Sequence, residues 1–216
     1  MQSLLNLEAG EVSVASSPMM CVGLLRGAVS TFHETYPAIR IGMHELSTDE
    51  TIEYVVNGKA DFGLVSMEEA HPKLSIEHLY NESMFVICAS DHELARKRKV
   101  SWELLADYPQ ISLHSTFSTR RTIDRVFASR HLTYSTSVEV GTVLSAISFA
   151  KARLGVTVLP GYVREFVSEL GLVARALPCE GVEHPISLIT RWNARLSTPA
   201  ECLLDSVRKR LAAARA

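Results

Sequence analysis

The alternation of strand-like and helix-like segments over residues 11–65 constrains the fold more than any other feature of this sequence. Strand patterns cover 11–15, 39–45 and 61–65, and apolar residues such as Leu25 and Phe32 recur at helical spacing between them. Strands joined through helices by short connections pair in parallel, with right-handed crossovers. The first third of the chain therefore predicts an α/β unit built on a parallel sheet.

Local signals mark where these predicted helices begin and end. The Tyr36–Pro37 pair ends the first helix, because proline disfavours helical backbone in the residue before it. Ser47, Thr48 and Asp49 are candidate N-caps for the second helix, and Gly58 stands where a left-handed C-cap belongs.

A second alternating region opens with the near-continuous apolar segment 84–89, which is typical of a strand covered on both faces. Near the end of the chain, a strong strand pattern is followed by a helix for which we predict Thr198 as N-cap and Pro199 at the first helical position. This ending indicates that the chain returns to its first unit. The remaining predicted strands cover 110–113, 137–140, 155–160, 172–176 and 185–192. The remaining predicted helices are a short one capped by Ser101 that includes Leu105, one that carries Ile123 and Phe127 on one face, and two over 142–153 and 198–216.

Composition bounds the classes of function. The 216 residues are 47% hydrophobic, enough to bury the core of one domain or of two lobes of about 100 residues each. A formal net charge of -2 argues against an extended nucleic-acid footprint. No apolar run approaches the roughly 18 residues of a membrane span, and the first residues lack the pattern of a secretory signal. We therefore expect a cytoplasmic protein that does not contact membrane.

Motifs for catalysis and for metal binding are missing from the sequence. It contains no GxSxG, HExxH, GxxxxGK[ST] or GxGxxG, and its eight histidines are not at metal-ligand spacing. Four scattered cysteines without a CxxC predict neither a zinc site nor a disulfide framework. We expect no enzyme, no metal and no cofactor, and buried reduced thiols, with a redox-sensing cysteine pair left open. The cysteines are Cys21, Cys88, Cys179 and Cys202.

Hydroxyl-bearing residues follow the predicted strands, where open α/β sheets bind their ligands. Such groups, reinforced by helix dipoles, would hold a small anion, most simply a carboxylate. The alternative is ordinary helix capping.

Phe117 would stack on an aromatic effector or anchor its loop. Arg120 and Arg121 would pair with an anion, or point one inward and one to solvent. Arg191 is a hinge or interface residue. The candidate effector-binding residues are Ser16, Ser17, Ser47, Thr48, Ser66, Ser115, Thr116, Phe117 and Thr142.

Three segments in order give the chain a family resemblance from about Gly10 onward. Residues 56–64 (VNGKADFGL) match a helix end, a tight turn and an apolar strand. Residues 91–95 (DHELA) are similar to an HPLA segment, with Glu93 in place of the proline. Residues 150–160 (AKARLGVTVLP) resemble a GxGxxxLP segment, with Arg153 where glycine is usual. In this order and spacing the chain resembles the effector-binding domain of LysR-type transcriptional regulators.

The resemblance implies a type 2 periplasmic-binding-protein-like fold, in which two Rossmann-like lobes are joined by two crossing strands. The first lobe would comprise residues 10–82 and 187–216, the second would comprise 83–186, and a small-molecule effector would bind in the cleft between them. A full-length regulator would also carry an N-terminal winged helix-turn-helix, absent from this chain, and would contact DNA only through it.

The resemblance further implies assembly and control of transcription. Homodimers or homotetramers would form through helices near 20–35 and 118–130, with Cys21 and Leu24 as contacts or as core, and effector binding would rearrange the oligomer. Two alternatives stay open at this point: a solute-binding protein of a transporter, and an enzyme such as a dehydratase on the same fold.

Overall fold

The computed structural model describes residues 10–67, 69–182 and 184–213. They form two compact units. The first unit contains the described residues up to Tyr80 and those from Ile186 onward, and the second is Asn81–Pro185. The chain therefore passes from one unit to the other twice, once after Tyr80 and once after Pro185.

The described residues form ten strands. In chain order they are β1 (Gly10–Ser16), β2 (Ile39–Glu45), β3 (Phe62–Val65), β4 (Leu74–Asn81), β5 (Met84–Ala89), β6 (Gln110–Leu113), β7 (Thr136–Val140), β8 (Thr157–Pro160), β9 (Leu172–Ala176) and β10 (Pro185–Arg191).

The α-helices of the described residues lie between these strands and after the last of them. They are α1 (Pro18–Met20), α2 (Arg26–Thr35), α3 (Thr48–Val56), α4 (Glu93–Arg96), α5 (Trp102–Ala106), α6 (Ser118–Ser129), α7 (Val143–Lys151), α8 (Arg164–Glu169) and α9 (Thr198–Ala213). A π-helical segment, Cys21–Leu25, joins α1 to α2, and a 3-10 turn, Gly161–Val163, precedes α8.

The first unit has a five-stranded sheet in the order β2-β1-β3-β10-β4. The predicted parallel arrangement is confirmed, since β1 pairs in parallel with both β2 and β3. The returning strand β10 is antiparallel to β3. Helix α3 begins and ends as its caps predict, because Ser47 caps it and Gly58, at φ 69°, follows its C-cap residue.

The structure of this unit differs from the sequence prediction in three places. Strand β4 was not predicted, although Leu74, Ile76 and Tyr80 alternate along it. The first helical stretch begins at Pro18 and contains the π-helical segment, which no local pattern had indicated. The N-cap of α9 is Ser197 rather than Thr198, because the Ser197 hydroxyl accepts a hydrogen bond from the Ala200 N–H at 3.3 Å. The predicted last residues of α9, 214–216, lie outside the described part of the chain.

The second unit has two small sheets. In one, β5 lies between β8 and β9 and is antiparallel to both. In the other, β6 and β7 pair in parallel, and an isolated bridge from Gln110 to Val156 connects β6 with the segment before β8. The prediction that segment 84–89 is a buried strand is confirmed, because its residues are almost wholly buried.

The core of the second unit is centred on Trp102. Its side chain is fully buried, its indole N–H donates to the Pro178 carbonyl at 3.0 Å, and its ring meets Phe127 edge-on at 5.8 Å. Buried apolar residues of β5, α5 and α6 surround it. Burial of this kind supplies most of the stability of a domain and holds the strand ends of the unit in place.

None of the helices formed by residues 10–67, 69–182 and 184–213 is both long and apolar enough to span a membrane.

Candidate effector-binding site

The hydroxyl residues predicted for the first unit meet at one edge of its sheet. Ser16 lies opposite Glu45 on β2 and opposite Leu64 on β3, so these three parallel strands end at the same level. The Leu46 N–H donates to the Ser16 carbonyl at 2.9 Å, which fixes the start of the loop after β2. The residues that follow the three strands, Ser17, Ser47, Thr48 and Ser66, therefore share the carboxyl edge of this sheet.

Ser16 itself is a structural residue of the sheet. Its side chain is fully buried, and its hydroxyl donates to the Leu64 carbonyl at 2.7 Å. The hydroxyl hydrogen thus joins β1 to β3 and is directed into the protein. Among the first-unit candidates, Ser16 offers least to a ligand.

Ser17 and Ser47 both cap helices. The Ser17 hydroxyl accepts from the Met20 N–H at 3.4 Å. The Ser47 hydroxyl accepts from the Glu50 N–H at 3.3 Å, while the Glu50 carboxylate accepts from the Ser47 backbone N–H at 2.9 Å and from its hydroxyl at 2.7 Å. These hydrogen bonds from Ser47 lower the pKa of Glu50. The Glu50 carboxylate therefore carries its negative charge beside Ser47 and disfavours an anion there. The adjacent Thr48 is half-buried, as is Ser66.

The second-unit candidates meet at the carboxyl edge of the β6–β7 sheet. Leu113 lies opposite Val140, and the His114 N–H donates to the Val140 carbonyl at 3.1 Å. The loop after β6 turns back through a hydrogen bond of 3.0 Å from the Phe117 N–H to the His114 carbonyl. In this loop Ser115 and Thr116 are exposed and Phe117 is half-buried.

Two helices begin at this same edge. Thr142 is exposed and caps α7: its hydroxyl accepts from the Ser145 N–H at 3.0 Å and donates to the Ser145 hydroxyl at 2.9 Å. Helix α6 has Phe117 at its N-cap and receives no side-chain cap bond. Helix N-termini carry a partial positive charge and backbone N–H groups that suit an anion. The edge thus offers hydroxyls, a half-buried aromatic ring and the positive ends of two helices.

Arg120 and Arg121, adjacent on α6, have different roles. The Arg120 Nε contacts both Asp124 oxygens at 2.9 Å, and its Nη1 donates to the Leu113 carbonyl at 2.9 Å and to Glu139 at 3.4 Å. Only 18% of its side chain is exposed, so it points inward and holds the end of β6.

Arg121 is exposed and braces the loop after β6. Its Nη1 donates to the Thr116 carbonyl at 2.7 Å and to the Ser115 carbonyl at 3.4 Å. Its guanidinium therefore adds positive charge directly beside the loop.

Sequence reasoning did not single out the polar cluster of Asp124 and Tyr134 beneath this edge. The Tyr134 hydroxyl donates to Asp124 at 2.6 Å. Burial, with this hydrogen bond to the carboxylate, raises the pKa of Tyr134 to about 12. Arg120 and Asp124 are four residues apart and so lie on one helix face. This spacing is the sequence signal that could have indicated Asp124, but no local signal indicates Tyr134.

A Ser–His contact in the first unit has the distance of a catalytic dyad but not its proton arrangement. The Ser13 hydroxyl lies 2.8 Å from His44 Nε2 and also donates to the Lys59 carbonyl at 2.9 Å. Because the hydroxyl has one hydrogen, Nε2 must donate to Ser13, and His44 is not placed to accept its proton. The Ser13 backbone N–H donates to the Asp61 carboxylate at 2.8 Å, so the hydrogen bonds of Ser13 fix the turn before β3.

All four cysteines lie in the described residues and are free thiols. Burial raises the pKa of Cys21 to about 12 and that of Cys88 to about 11, which keeps both in the unreactive thiol form. The expectation that the cysteines are buried is wrong for Cys179, which is exposed, and Cys202 is partly exposed. Over residues 10–67, 69–182 and 184–213, no group of three or more His, Cys, Asp or Glu side chains is placed to hold a metal ion.

Parallel strands that end at one sheet edge beneath helix N-termini are typical of α/β domains that bind ligands, and solved structures share the fold. The effector binding domain of QuiR in complex with shikimate has a TM-score of 0.80 and 18% identity, covering 93% of this chain and 96% of that one. The BenM effector binding domain with its effector benzoate has a TM-score of 0.82 and 20% identity, covering 95% and 93%. The type 2 periplasmic-binding-protein-like fold is therefore confirmed.

The family model described as LysR substrate binding domain matches residues 6–212, and this chain belongs to that family. The HTH-type transcriptional regulator YbhD of Escherichia coli (strain K12), itself named as uncharacterized, is 27% identical over 192 residues, which is 89% of this chain and 61% of that protein. The similarly named YfeR of Shigella flexneri is 27% identical over 200 residues, covering 93% and 65%. The chain thus spans roughly three-fifths of the length of these relatives.

Proposed function

We propose that this chain is the effector-sensing part of a LysR-type transcriptional regulator and that its effector is a small anion bearing a carboxylate. The family match across residues 6–212 carries the proposal. It is supported by the ligands named for two structural neighbours, shikimate in complex with QuiR and the BenM effector benzoate, which are both carboxylates. Because YbhD and YfeR are transcriptional regulators, the regulator is favoured over a transporter's solute-binding protein and over an enzyme.

The carboxyl edge of the β6–β7 sheet is the part of the molecule that we propose receives the carboxylate. Ser115, Thr116 and Thr142 supply exposed hydroxyls, and Arg121 supplies positive charge beside them. Phe117, half-buried at the start of α6, is placed to contact the ring or hydrocarbon part of an effector. In the first unit Ser17 and Thr48 are the better donors, since the Ser16 hydroxyl is buried and Ser47 is bound to the Glu50 carboxylate.

Thermal unfolding of this chain in the presence of carboxylic acids tests the proposal. A ligand at a hundred times its dissociation constant should stabilise the fold by about 2.7 kcal/mol. The informative variant is Thr142→Val, and its matched control is Ser101→Ala, because Ser101 caps α5 in the same way through the Leu104 N–H. Each loses an N-cap bond, for a cost of about 1 kcal/mol.

We expect only Thr142→Val to lose the stabilisation by ligand. Equal loss in both variants would show that the response follows helix capping and would reject this site. No stabilisation by any aliphatic, hydroxylated or aromatic acid would reject the carboxylate effector.

Assembly into homodimers or homotetramers is the second part of the proposal. Helix α2 and the edge strand β2 border a groove of about 640 Å³ that includes Val29 and Ser30. Helix α6 and the edge strand β7 border a groove of about 340 Å³ that includes Ala128. Helices α2 and α6 are the elements through which the family resemblance implies pairing, and we propose that the grooves beside them meet across the interface.

Sedimentation of the chain tests this pairing. Ala128→Arg places a long cation in the α6 groove, and Ala212→Arg places the same side chain on the exposed face of α9. We expect Ala128→Arg alone to lower the mass of the assembly. A dimer that survives Ala128→Arg would exclude α6 from the interface.

The proposed regulator acts in the bacterial cytoplasm, where its operator DNA lies, and contacts that operator through a DNA-binding domain outside this chain. Effector binding changes the balance between assembly states by its differential affinity for them.

A further inference from the structure

Four consecutive basic residues form an exposed surface in the second unit. Arg96 is the last residue of α4, and Lys97, Arg98 and Lys99 follow it before α5; all four are exposed. The remainder of the chain is acidic: it has the other 18 of the 22 Lys and Arg residues and all 24 Asp and Glu residues, which gives a formal charge of -6. We call residues 96–99 the basic run.

Buried residues on both sides fix the basic run in place. Leu94 and Ala95 before it and Val100 and Trp102 after it are all buried. The Lys97 N–H donates to the Leu94 carbonyl at 3.2 Å. The four charges are therefore presented on the end of α4 and the short anchored loop after it, which lowers the entropy cost of binding a partner.

Nearby acids do not neutralise the run, because they have partners of their own. Asp91 accepts a bidentate pair from Arg153, at 2.7 Å and 2.9 Å for its closest contacts. Burial and the neighbouring Glu93 carboxylate raise the pKa of Tyr108, so Glu93 lies beside that hydroxyl. The third acid, Glu103, pairs with Arg130 at 3.5 Å. Within the described residues, no ion pair involves any member of the basic run.

A fifth cation lies against the same segment. Arg175, on β9, donates to the Ala95 carbonyl through Nη2. Its Nε is buried and has no acceptor among the described residues. Arg175 thus adds positive charge behind the run and increases the local potential.

We propose that the basic run is a contact surface for the phosphate backbone of duplex DNA, an inference that rests on the proposed function. Four residues span at most about 14 Å, and duplex DNA carries one negative charge per roughly 1.7 Å of its axis, so several phosphates lie within reach. A protein partner is less favoured, because charged residues are depleted at the centres of protein–protein interfaces and all four residues of the run are charged. Attachment to an operator-bound regulator raises the effective concentration of DNA around this surface, so a weak contact is sufficient.

Binding of this chain to a fluorescently labelled 30-base-pair duplex, followed by anisotropy from 50 to 200 mM salt, tests the proposal. Contact with four phosphates gives a slope of log affinity against log salt of about -3.6, or about 150-fold weaker binding over that range. The basic-run variant is R96Q/K97Q/R98Q/K99Q. Its control, K73Q/K151Q/R195Q/K209Q, makes the same change in net charge at four scattered exposed sites.

We expect the basic-run variant to bind at least tenfold more weakly at 50 mM salt, with a slope near zero, and the control to stay within about threefold of the native chain. Equal weakening of both variants would overturn the proposal, because bulk charge would explain it. Poly-L-glutamate that competes as well as unlabelled duplex, at equal charge, would overturn it in favour of an acidic protein partner. Undetectable binding to duplex at 50 mM salt would overturn it outright.

The proposed carboxylate effector and the DNA contact of the basic run can be tested independently of each other. The basic-run variant should keep the native thermal response to carboxylic acids, because its substitutions lie outside the β6–β7 edge. Loss of DNA binding with that response intact identifies the basic run alone. A missing carboxylate response in a chain that still binds duplex through the run would reject the proposed effector without removing the DNA contact.

Discussion

His184 should make the stability of this protein depend on pH between neutrality and pH 4. The side chain is fully buried immediately before β10, and its Nδ1 lies 3.3 Å from the Thr122 hydroxyl. Burial lowers the pKa of His184 from 6.5 to about 4, because a charged imidazole loses its hydration there. The unfolded chain takes up a proton near pH 6.5 and the folded chain does not.

The direction and size of the effect follow from this difference in proton binding. The stabilisation due to a neutral His184 is fully present above pH 6.5 and is lost as the pH falls towards 4, because the unfolded state then binds more protons. Each pKa unit is worth about 1.4 kcal/mol, so the total is roughly 3 kcal/mol, of which about 2 kcal/mol is lost by pH 5. Glu50, Asp91 and Glu103, whose pKa values are lowered, lose their contributions only at more acidic pH, below their usual pKa values.

Urea unfolding followed by circular dichroism at pH 7.5 and pH 5.0 measures this loss. For the native chain we expect the free energy of unfolding to fall by about 2 kcal/mol between the two pH values. His184→Gln, which cannot take up a proton in this range, should remove most of the difference. His78→Gln, on an exposed face of β4, is the control and should retain it. A His184→Gln variant with the native pH dependence would refute the assignment, whatever its absolute stability.

Three further predictions concern stability and use the same urea assay. Trp102→Ala should lower the free energy of unfolding by about 3–5 kcal/mol, because it empties the core and leaves the Pro178 carbonyl without its donor; a loss below 1 kcal/mol would contradict this central position. Ser47→Ala should cost about 1 kcal/mol by breaking the capping box of α3, and an unchanged midpoint would show that water replaces the cap. Arg153 has a φ of 65°, which is unfavourable for any residue with a Cβ atom. Arg153→Gly and Arg153→Ala both lose the ion pair with Asp91, but only glycine removes the backbone strain, so Arg153→Gly should be more stable by about 1 kcal/mol and unfold at higher urea. The reverse order of the two midpoints would show that the backbone at Arg153 is not strained.

Local chemistry determined much of the fold in advance. Strand β2 has the bounds that its pattern predicts. Helix α3 has Ser47 as its N-cap, and the left-handed Gly58 follows its C-cap residue, because capping and turn preferences act over a few residues. The alternation of strands and helices in the first third of the chain predicted a parallel sheet, since two parallel neighbours need a crossover between them. Strand β4 was missed although Leu74, Ile76 and Tyr80 show its period of two.

Features that depend on distant partners could not be predicted in the same way. Ser197 and Thr198 are chemically equivalent as caps, and only the path of the chain into α9 selects Ser197. Strand β5 was evident as a buried strand, but its two antiparallel neighbours come from far along the sequence and are selected by packing.

The sequence by itself determined which residues could serve an effector site: the serines and threonines that follow strands, and the arginines beside them. Tertiary structure decided which of these retain that capacity. The Ser16 hydroxyl is buried because Leu64, 48 residues away, lies on the neighbouring strand, and Arg120 points inward because Leu113 and Glu139 supply its acceptors. A hydroxyl or a guanidinium binds whatever acceptor the fold brings nearest, and that distance is a property of the packed chain and not of its local sequence.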